Sequence, residues 1–223
     1  GNAGMNAFDI IGPVMIGPSS SHTAGAVRIG NVARNIFGKQ PDKAEIRLYN
    51  SFSGTGKGHG TDKALIAGIL GYAPDDGRIA NAYEEAKQVG MKPVVRFLGD
   101  NPSFHVNTAE LFLQKGKDKM RITGKSVGGG RIVITRIGEY ETEYTGDYPC
   151  LMTVHRDVPG VVSEVTGYLA RMKVNIAFMR LYRTQKGSRV LMMVETDNPI
   201  PFEIEGLLSS RPYIEKAAIL RGM

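Results

Sequence analysis

Glycine is spread unevenly along this chain, and its distribution constrains the fold more than any other feature. Residues 1–147 hold 23 of the 28 glycines, with clusters at 54–60 and 128–130, whereas residues 148–223 hold five. Glycine allows the backbone to turn tightly and to approach a ligand closely. We therefore predict two domains, 5–147 and 148–223, that meet in a turn-rich stretch at 144–149.

The first domain mixes helices and strands without regular alternation, which predicts an α+β fold. Helices are expected at 24–37, 62–71 and 78–89, the first ending at Gly38 and the second capped by Thr61. Strands are expected at 45–49, 94–98, 109–113, 120–122, 131–137 and 140–144.

The second domain has a simpler pattern. Strands are expected at 151–155, 175–182, 190–195 and 214–220, with helices at 159–172 and 202–208. Pro159 suits the first turn of its helix. The resulting order is βαββαβ, which predicts a ferredoxin-like fold for residues 148–223.

Charge and cysteine content narrow the functional classes. The net charge is +6, divided equally between the two predicted domains and without a Lys/Arg run, so neither nucleic acid nor a membrane is an expected partner. No apolar run is long enough to span a bilayer. The single cysteine, Cys150, precludes an internal disulfide and favours a cytoplasmic protein; a buried strand position is expected for it.

Hydroxyl groups and histidines mark a candidate site in the first domain. Ser19, Ser20, Ser21 and Thr23 are expected just before a helix, where they and free N–H groups favour an anion such as a carboxylate. A simple helix cap is the alternative. Three of the four histidines (His22, His59 and His105) lie in polar segments and suit proton transfer near neutral pH. Zinc ligation is the alternative, although their spacing is not that of a metal site.

Four segments resemble the iron–sulfur L-serine dehydratases. They are Gly17-Pro18-Ser19-Ser20-Ser21-His22-Thr23-Ala24-Gly25, Lys57-Gly58-His59-Gly60-Thr61-Asp62-Lys63-Ala64, Phe104-His105-Val106-Asn107-Thr108 and Ser126-Val127-Gly128-Gly129-Gly130. The resemblance begins near residue 8. Because no cysteine-rich region follows, the chain resembles the β chain of the two-subunit type, and Gly128–Gly130 is expected to form a turn between strands.

That resemblance implies β-elimination from L-serine to pyruvate and ammonia. The chemistry needs a base for the α-proton and a Lewis acid for the departing hydroxyl. A [4Fe–4S] cluster would be that acid, and since one cysteine cannot hold it, a cysteine-rich α subunit must. We expect His59 to be the base, with His22, His105 and Asn107 orienting the substrate. The expected substrate-binding residues are Ser19, Ser20, Ser21, Thr23, Lys57 and Thr61. A potassium requirement is left open.

The second domain resembles an ACT domain, in particular the serine-binding domain of D-3-phosphoglycerate dehydrogenase. The resemblance is carried by residues 155–161 and 174–176 and implies an effector site at His155, Asp157, Gly160 and Asn175. Asp157 replaces an amide, which leaves open whether serine or another amino acid is sensed. ACT domains pair edge to edge, so a homodimer is expected. The alternative function is a stand-alone amino-acid sensor, because the first domain is also similar to the allosteric substrate-binding domain of some 3-phosphoglycerate dehydrogenases.

Overall fold

The protein is described from a computed structural model that covers residues 16–54, 60–184 and 188–222, without the side chains of 16–22. It has the predicted α+β architecture with two sheets. No helix in these ranges is long and apolar enough to cross a membrane. Two compact units divide between Thr135 and Arg136. The last strand of the first sheet ends at Tyr144, and the first strand of the second sheet begins at Cys150. The predicted domain boundary at 147/148 stays a prediction.

The first unit contains the helices α1 (Ile16–Phe37), α2 (Thr61–Ile69) and α3 (Ala82–Gln88), the last preceded by a 3-10 turn at Gly77–Asn81, and residues 51–54 are also helical. Helix α1 is buried over more than half of its circumference, and Val27, Ala33 and Ile36 are fully buried. It ends as predicted at Gly38, which has a φ of 87° and donates from its N–H to the carbonyl of Arg34 at 2.9 Å.

The start of α1 was predicted wrongly. The helix begins at Ile16 and not at Ala24, so Ser19, Ser20, Ser21 and Thr23 lie within it. The backbone N–H groups beyond the first turn of a helix are bonded internally, so most of this segment cannot offer free N–H groups to an anion. The run of hydroxyls suggested a cap because such residues favour helix ends over helix interiors.

Within the described ranges the first sheet has six strands: β1 (Lys43–Asn50), β2 (Lys92–Phe97), β3 (Asn107–Lys115), β4 (Asp118–Gly128), β5 (Arg131–Ile137) and β6 (Tyr140–Tyr144). Their spatial order is β2-β1-β3-β4-β5-β6. β1 runs parallel to β2 and antiparallel to β3. Helix α1 packs on β4, where Gly124 leaves room for Ile29. Because β3 is antiparallel to both β1 and β4, its start lies at the same edge of the sheet as the ends of β1 and β4.

The second sheet contains β7 (Cys150–Arg156), β8 (Ile176–Arg183), β9 (Arg189–Thr196) and β10 (Ile214–Leu220), with helices α4 (Val161–Arg171) and α5 (Glu203–Ser209). The spatial order is β10-β7-β9-β8 and the pairing is antiparallel. This confirms the ferredoxin-like βαββαβ fold. Val165 and Leu169 of α4 are fully buried against Leu151, Met192 and Val194 of the sheet.

Two helices have a glycine N-cap that the sequence patterns did not predict. Gly60, with a φ of 82°, is the N-cap of α2, so Thr61 is its first helical residue and not its cap. Gly160, with a φ of 95°, is the N-cap of α4, so Pro159 lies before the helix and not in its first turn. Both glycines adopt a left-handed backbone, which an L side chain disfavours. The sequence patterns favoured threonine and proline because these are the commoner residues at such positions.

Candidate functional site

The first and fourth motif segments meet where α1 packs on β4. Gly25 faces the side chain of Ser126 so closely that a methyl group at Gly25 would collide with it. Arg28 donates from Nη1 to the carbonyl oxygen of Gly130 at 2.7 Å. Segments separated by about 100 residues in the chain are therefore fixed against each other by a small residue and a hydrogen bond.

The glycine triplet forms the predicted turn between β4 and β5. Gly128, Gly129 and Gly130 all have positive φ, at 101°, 64° and 78°. A side chain at Gly130 would also collide with the guanidinium of Arg28. The positive φ values favour glycine at all three positions, and at Gly130 a side chain would in addition displace the Arg28 guanidinium.

The His105–Asn107 segment lies at the same edge of the sheet. Asn107 opens β3 opposite Asn50, the last residue of β1. The next residue, Thr108, pairs with Lys125, which directly precedes Ser126 on β4. Strand pairing therefore brings the third motif segment beside the fourth.

The hydrogen bonding of His105 favours one tautomer of its neutral imidazole. Its Nδ1 accepts a hydrogen bond from the backbone N–H of Asn107 at 3.2 Å. Burial, and secondly the positive charge of Lys125, lower the pKa of His105 below its ordinary value. A neutral imidazole whose Nδ1 accepts carries its proton on Nε2, so His105 is arranged as a hydrogen-bond donor. Such a group suits orientation of a substrate oxygen better than removal of a proton.

Asn107 has unused hydrogen-bonding capacity. Its Oδ1 is buried and has no partner among the residues that the structure describes. Thr61, at the start of α2, is fully buried, and its Oγ1 likewise has no partner within the described ranges. A buried polar atom without a partner is costly, and such atoms occur where a ligand or water completes the bonding.

A cavity of about 420 Å³ opens beside the first and second motif segments. It is lined by Thr23, Gly60, Asp62, Lys63, Ile79 and Ala80. Thr23 and Gly60 belong to segments predicted to bind substrate. Asp62 accepts a hydrogen bond from the hydroxyl of Tyr83 at 2.7 Å, and burial raises the pKa of that tyrosine. The cavity thus offers a hydroxyl, a carboxylate and an ammonium group to a ligand.

Several predicted site residues lie outside what the structure describes. These are Lys57 and His59, together with the side chains of Ser19, Ser20, Ser21 and His22. Their roles stay predictions. The backbone of residues 19–22 belongs to α1, the helix that carries Thr23 into the cavity.

Three of the predicted effector residues lie around the end of β7. His155 is buried, its Nδ1 lies 2.8 Å from the carbonyl oxygen of Arg156, and its Nε2 has no partner among the described atoms. Asp157 forms an ion pair with Arg183 at 3.2 Å. Gly160 begins α4 without a side-chain cap. A buried imidazole nitrogen that has no partner among the described atoms is suited to a polar ligand.

Asn175 does not join these residues within one chain. It directly precedes β8, whereas His155 is aligned through Val190 with Arg183 at the end of β8. Seven strand positions separate the two ends, a distance of roughly 20 Å. The Asn175 side chain instead donates to Asp197 at 2.6 Å. A single copy of the chain does not assemble the four predicted effector residues.

The one cysteine does not fit an iron–sulfur cluster. Cys150 is fully buried in the first position of β7, and burial raises the pKa of its thiol. Cluster ligands are thiolates, and three or four are needed. Across the described ranges no group of three or more His, Cys, Asp or Glu side chains is arranged to hold a metal ion. This chain's residues therefore do not fit the cluster implied by the resemblance.

Sequence reasoning missed three residues that organise the site. Arg28 fixes the glycine turn, Tyr83 bonds to Asp62, and Asn50 bonds to the segment that contains His105. The partner of Tyr83, Asp62, belongs to the second motif segment, so its part of the site was indicated by the sequence. The other three act across long sequence separations that no local pattern reveals.

Comparisons with known proteins agree with this architecture. Residues 6–136 match the family described as serine dehydratase beta chain, and residues 151–212 match the ACT domain family. The chain is 42% identical to "Probable L-serine dehydratase, beta chain" of Bacillus subtilis, with 94% of each chain covered. It is 38% identical to "L-serine dehydratase, beta chain" of Peptoniphilus asaccharolyticus, covering 87% of this chain and 88% of that relative. A "D-3-phosphoglycerate dehydrogenase" of Synechocystis is 26% identical over 88% of this chain and 34% of its own length.

Proposed function

Because the chain belongs to the family of serine dehydratase β chains and carries an ACT domain, we propose that it is the β subunit of an L-serine ammonia-lyase. The complex converts L-serine to pyruvate and ammonia. The observation that carries this proposal is a grouping at one sheet edge. It consists of His105, the glycine turn after Ser126, and the Oδ1 of Asn107, which has no partner in the part of the chain that the structure describes. This edge can bind a small polar substrate.

The cluster belongs to a cysteine-rich α subunit in this proposal. A [4Fe–4S] cluster supplies a Lewis acid, and the single buried cysteine of this chain cannot hold one. The contribution of this chain is to bind and orient the substrate and to move its α-proton. His59 is the base, and His22, His105 and Asn107 orient the substrate.

Substitution of His59 tests the catalytic role. The chain would be co-expressed anaerobically with its α partner as wild type and as His59→Ala, and pyruvate release from L-serine would be measured. Loss of a general base costs about 10²- to 10⁴-fold in rate. Lys117→Ala, at an exposed turn between β3 and β4, is the matched control and should keep the wild-type rate. If His59→Ala co-purifies with its partner and turns over at a near-wild-type rate, the assignment is wrong.

The ACT domain is proposed to sense serine at a seam between two copies. Strand β8 is an edge of its sheet, and Met179 and Leu181 on it are 41% and 47% exposed. Antiparallel pairing of two such edges brings Asn175 of one copy to the end of the sheet that carries His155 of the other. This arrangement accounts for effector residues that a single copy holds apart.

Oligomeric state and serine binding test this seam together. Wild-type chain should be a dimer by light scattering, and calorimetry should detect L-serine. Leu181→Glu places a charge at the edge and should give a monomer that has lost the serine site of the seam, so calorimetry should detect fewer serine sites per chain than in the wild type. Phe202→Glu, at an apolar residue 81% exposed before α5, is the matched control and should remain dimeric. A wild-type chain that is monomeric in the presence of serine, or a Leu181→Glu monomer with the wild-type number of serine sites, would contradict a shared site.

A stand-alone amino-acid sensor is the second candidate. It is favoured by the match to a D-3-phosphoglycerate dehydrogenase, which spans 88% of this chain and therefore reaches both domains. In this candidate both domains bind metabolites and neither takes part in catalysis. The two candidates differ in whether a complex with the α chain turns over serine.

A further inference from the structure

We propose that Asn50 is a positioning residue that fixes the loop carrying His105, so that His105 presents Nε2–H toward the substrate. The loop is defined as residues 99–107. The inference deepens the proposed function and rests on it for the identity of the substrate, but the geometry of the loop can be tested in this chain alone.

Asn50 adopts a strained backbone at the end of β1. Its φ is 56°, in the left-handed region that few residues other than glycine occupy. Asparagine tolerates this conformation better than most L residues, because its short polar side chain can bond locally. Strain of this kind persists where the surroundings compensate for it.

The compensation comes from hydrogen bonds with the loop. The Nδ2 of Asn50 lies within hydrogen-bond distance of the carbonyl oxygens of Asn101 (3.1 Å), Phe104 (3.1 Å) and His105 (2.9 Å). Its Oδ1 accepts from the backbone N–H of Asn101 at 2.7 Å. One side chain thus satisfies both ends of the loop segment that leads into His105.

Backbone bonds add to this anchor on either side. The N–H of Asn50 donates to the carbonyl of Gly99 at 2.9 Å, and the N–H of Ser51 donates to that of Val106 at 2.6 Å. Thr108 donates from Oγ1 to the carbonyl of His105 at 2.8 Å. The backbone of His105 is consequently bonded to residues of two strands, β1 and β3. The N–H of Asn107 donates to the imidazole of His105 and fixes its orientation.

The consequence for His105 is a fixed tautomer. With Nδ1 occupied as an acceptor, the neutral ring exposes Nε2–H, a donor suited to a carboxylate or hydroxyl oxygen of an amino acid. Among the described residues, burial first and then the positive charge of Lys125 on β4 disfavour a second proton on the ring. If the bonds from Asn50 to the loop were lost, the imidazole of His105 would become more exposed to solvent. Its preference for the neutral Nε2–H form would then weaken.

The test is histidine NMR on the isolated full-length chain, without the α partner. In the wild type, His105 should titrate below the ordinary histidine pKa, and its nitrogen shifts should report the Nε2–H tautomer. Asn50→Gly keeps the left-handed backbone and removes every side-chain bond. In this variant the His105 pKa should rise to its ordinary value and the two tautomers should become mixed.

Asn31→Ala is the matched control. Asn31 also bridges backbone carbonyls, donating to Gly68 at 2.9 Å and to Tyr72 at 3.0 Å, but it lies away from the loop. It should lower stability, because two backbone carbonyls lose their donor, without changing the titration of His105. A folded Asn50→Gly chain with wild-type His105 shifts would overturn the proposal.

A measurement on the wild type keeps the proposal testable if Asn50→Gly fails to fold. The side-chain amide protons of Asn50 should be protected from exchange with solvent. Exchange at the rate of a free asparagine amide would overturn the proposal. In the reconstituted complex, a folded Asn50→Gly should lower kcat more than it raises KM. Failure of the complex to turn over at all would contradict the proposed function and leave the NMR result intact.

Discussion

At the scale of single residues, one missing side chain sets the distance between α1 and α2. A methyl group at Gly30 would lie 2.7 Å from the carbonyl oxygen of Leu65 and 2.8 Å from the Cα of Gly68. These neighbours are backbone atoms, so they cannot rotate away. Close packing here keeps α2, with Asp62 in its first turn, against the helix that carries Thr23.

Gly30→Ala should therefore destabilise the protein by about 1–3 kcal/mol or more, as overpacking does. Gly206→Ala is the matched control, because Gly206 lies in α5 with no atom within 4 Å of the added methyl group. Alanine is favoured over glycine inside a helix by roughly 0.5–1 kcal/mol, so this control should gain stability. Urea unfolding of the two variants checks both signs, and equal effects would refute the close contact.

Glu195 gives stability a dependence on pH. Burial first, and then Asp147, raise the pKa of Glu195, while Arg180 opposes them. The folded state therefore favours the protonated carboxyl. The contribution of Glu195 to the free energy of unfolding is complete below its unfolded-state pKa and is lost as the pH rises through its folded-state pKa.

Glu195→Gln should consequently be more stable than the wild type at neutral pH, and the difference should vanish below about pH 4. Thermal unfolding of both proteins between pH 3 and pH 8 measures this. A glutamine variant that is less stable at neutral pH would show that Arg180 outweighs burial.

At the scale of elements, local pattern predicted most helices and strands because apolar residues recur with the right period. β5, β6 and β10 have the predicted bounds. β4 is much longer than the predicted 120–122, because Thr123, Gly124 and Ser126 suggest a turn but are buried in the sheet. Small residues are needed there to admit α1, a tertiary constraint that local propensity does not contain.

Helix α4 carries the core of the second sheet. Leu169 is fully buried in a cluster with Val194 and Ile204. Leu169→Ala should cost about 2–5 kcal/mol through lost burial and a residual cavity. Tyr168 is only partly buried on the same helix, and Tyr168→Phe should change stability far less. Chemical denaturation of the two variants checks the ranking, and a mild Leu169→Ala would contradict this description of the core.

At the scale of the whole molecule, sequence motifs indicated candidate site segments, whose role stays a prediction, but gave no information on how these segments meet. His105 and Asn107 come beside Ser126 because β3 pairs with β4, and Thr23 reaches a cavity with Asp62. The left-handed backbone of Asn50 and the hydrogen bond from Arg28 to Gly130 depend on tertiary contacts, so no local sequence pattern predicts them. The separation of His155 from Asn175 likewise follows from strand direction and not from residue spacing.

The central claim is that this chain completes a serine dehydratase. Pyruvate release from L-serine should be measured anaerobically for this chain, for its cysteine-rich partner with a loaded cluster, and for both together. We predict pyruvate only when both chains are present. A stable, cluster-loaded complex without turnover, or two chains that do not associate, would contradict the claim and favour the stand-alone sensor.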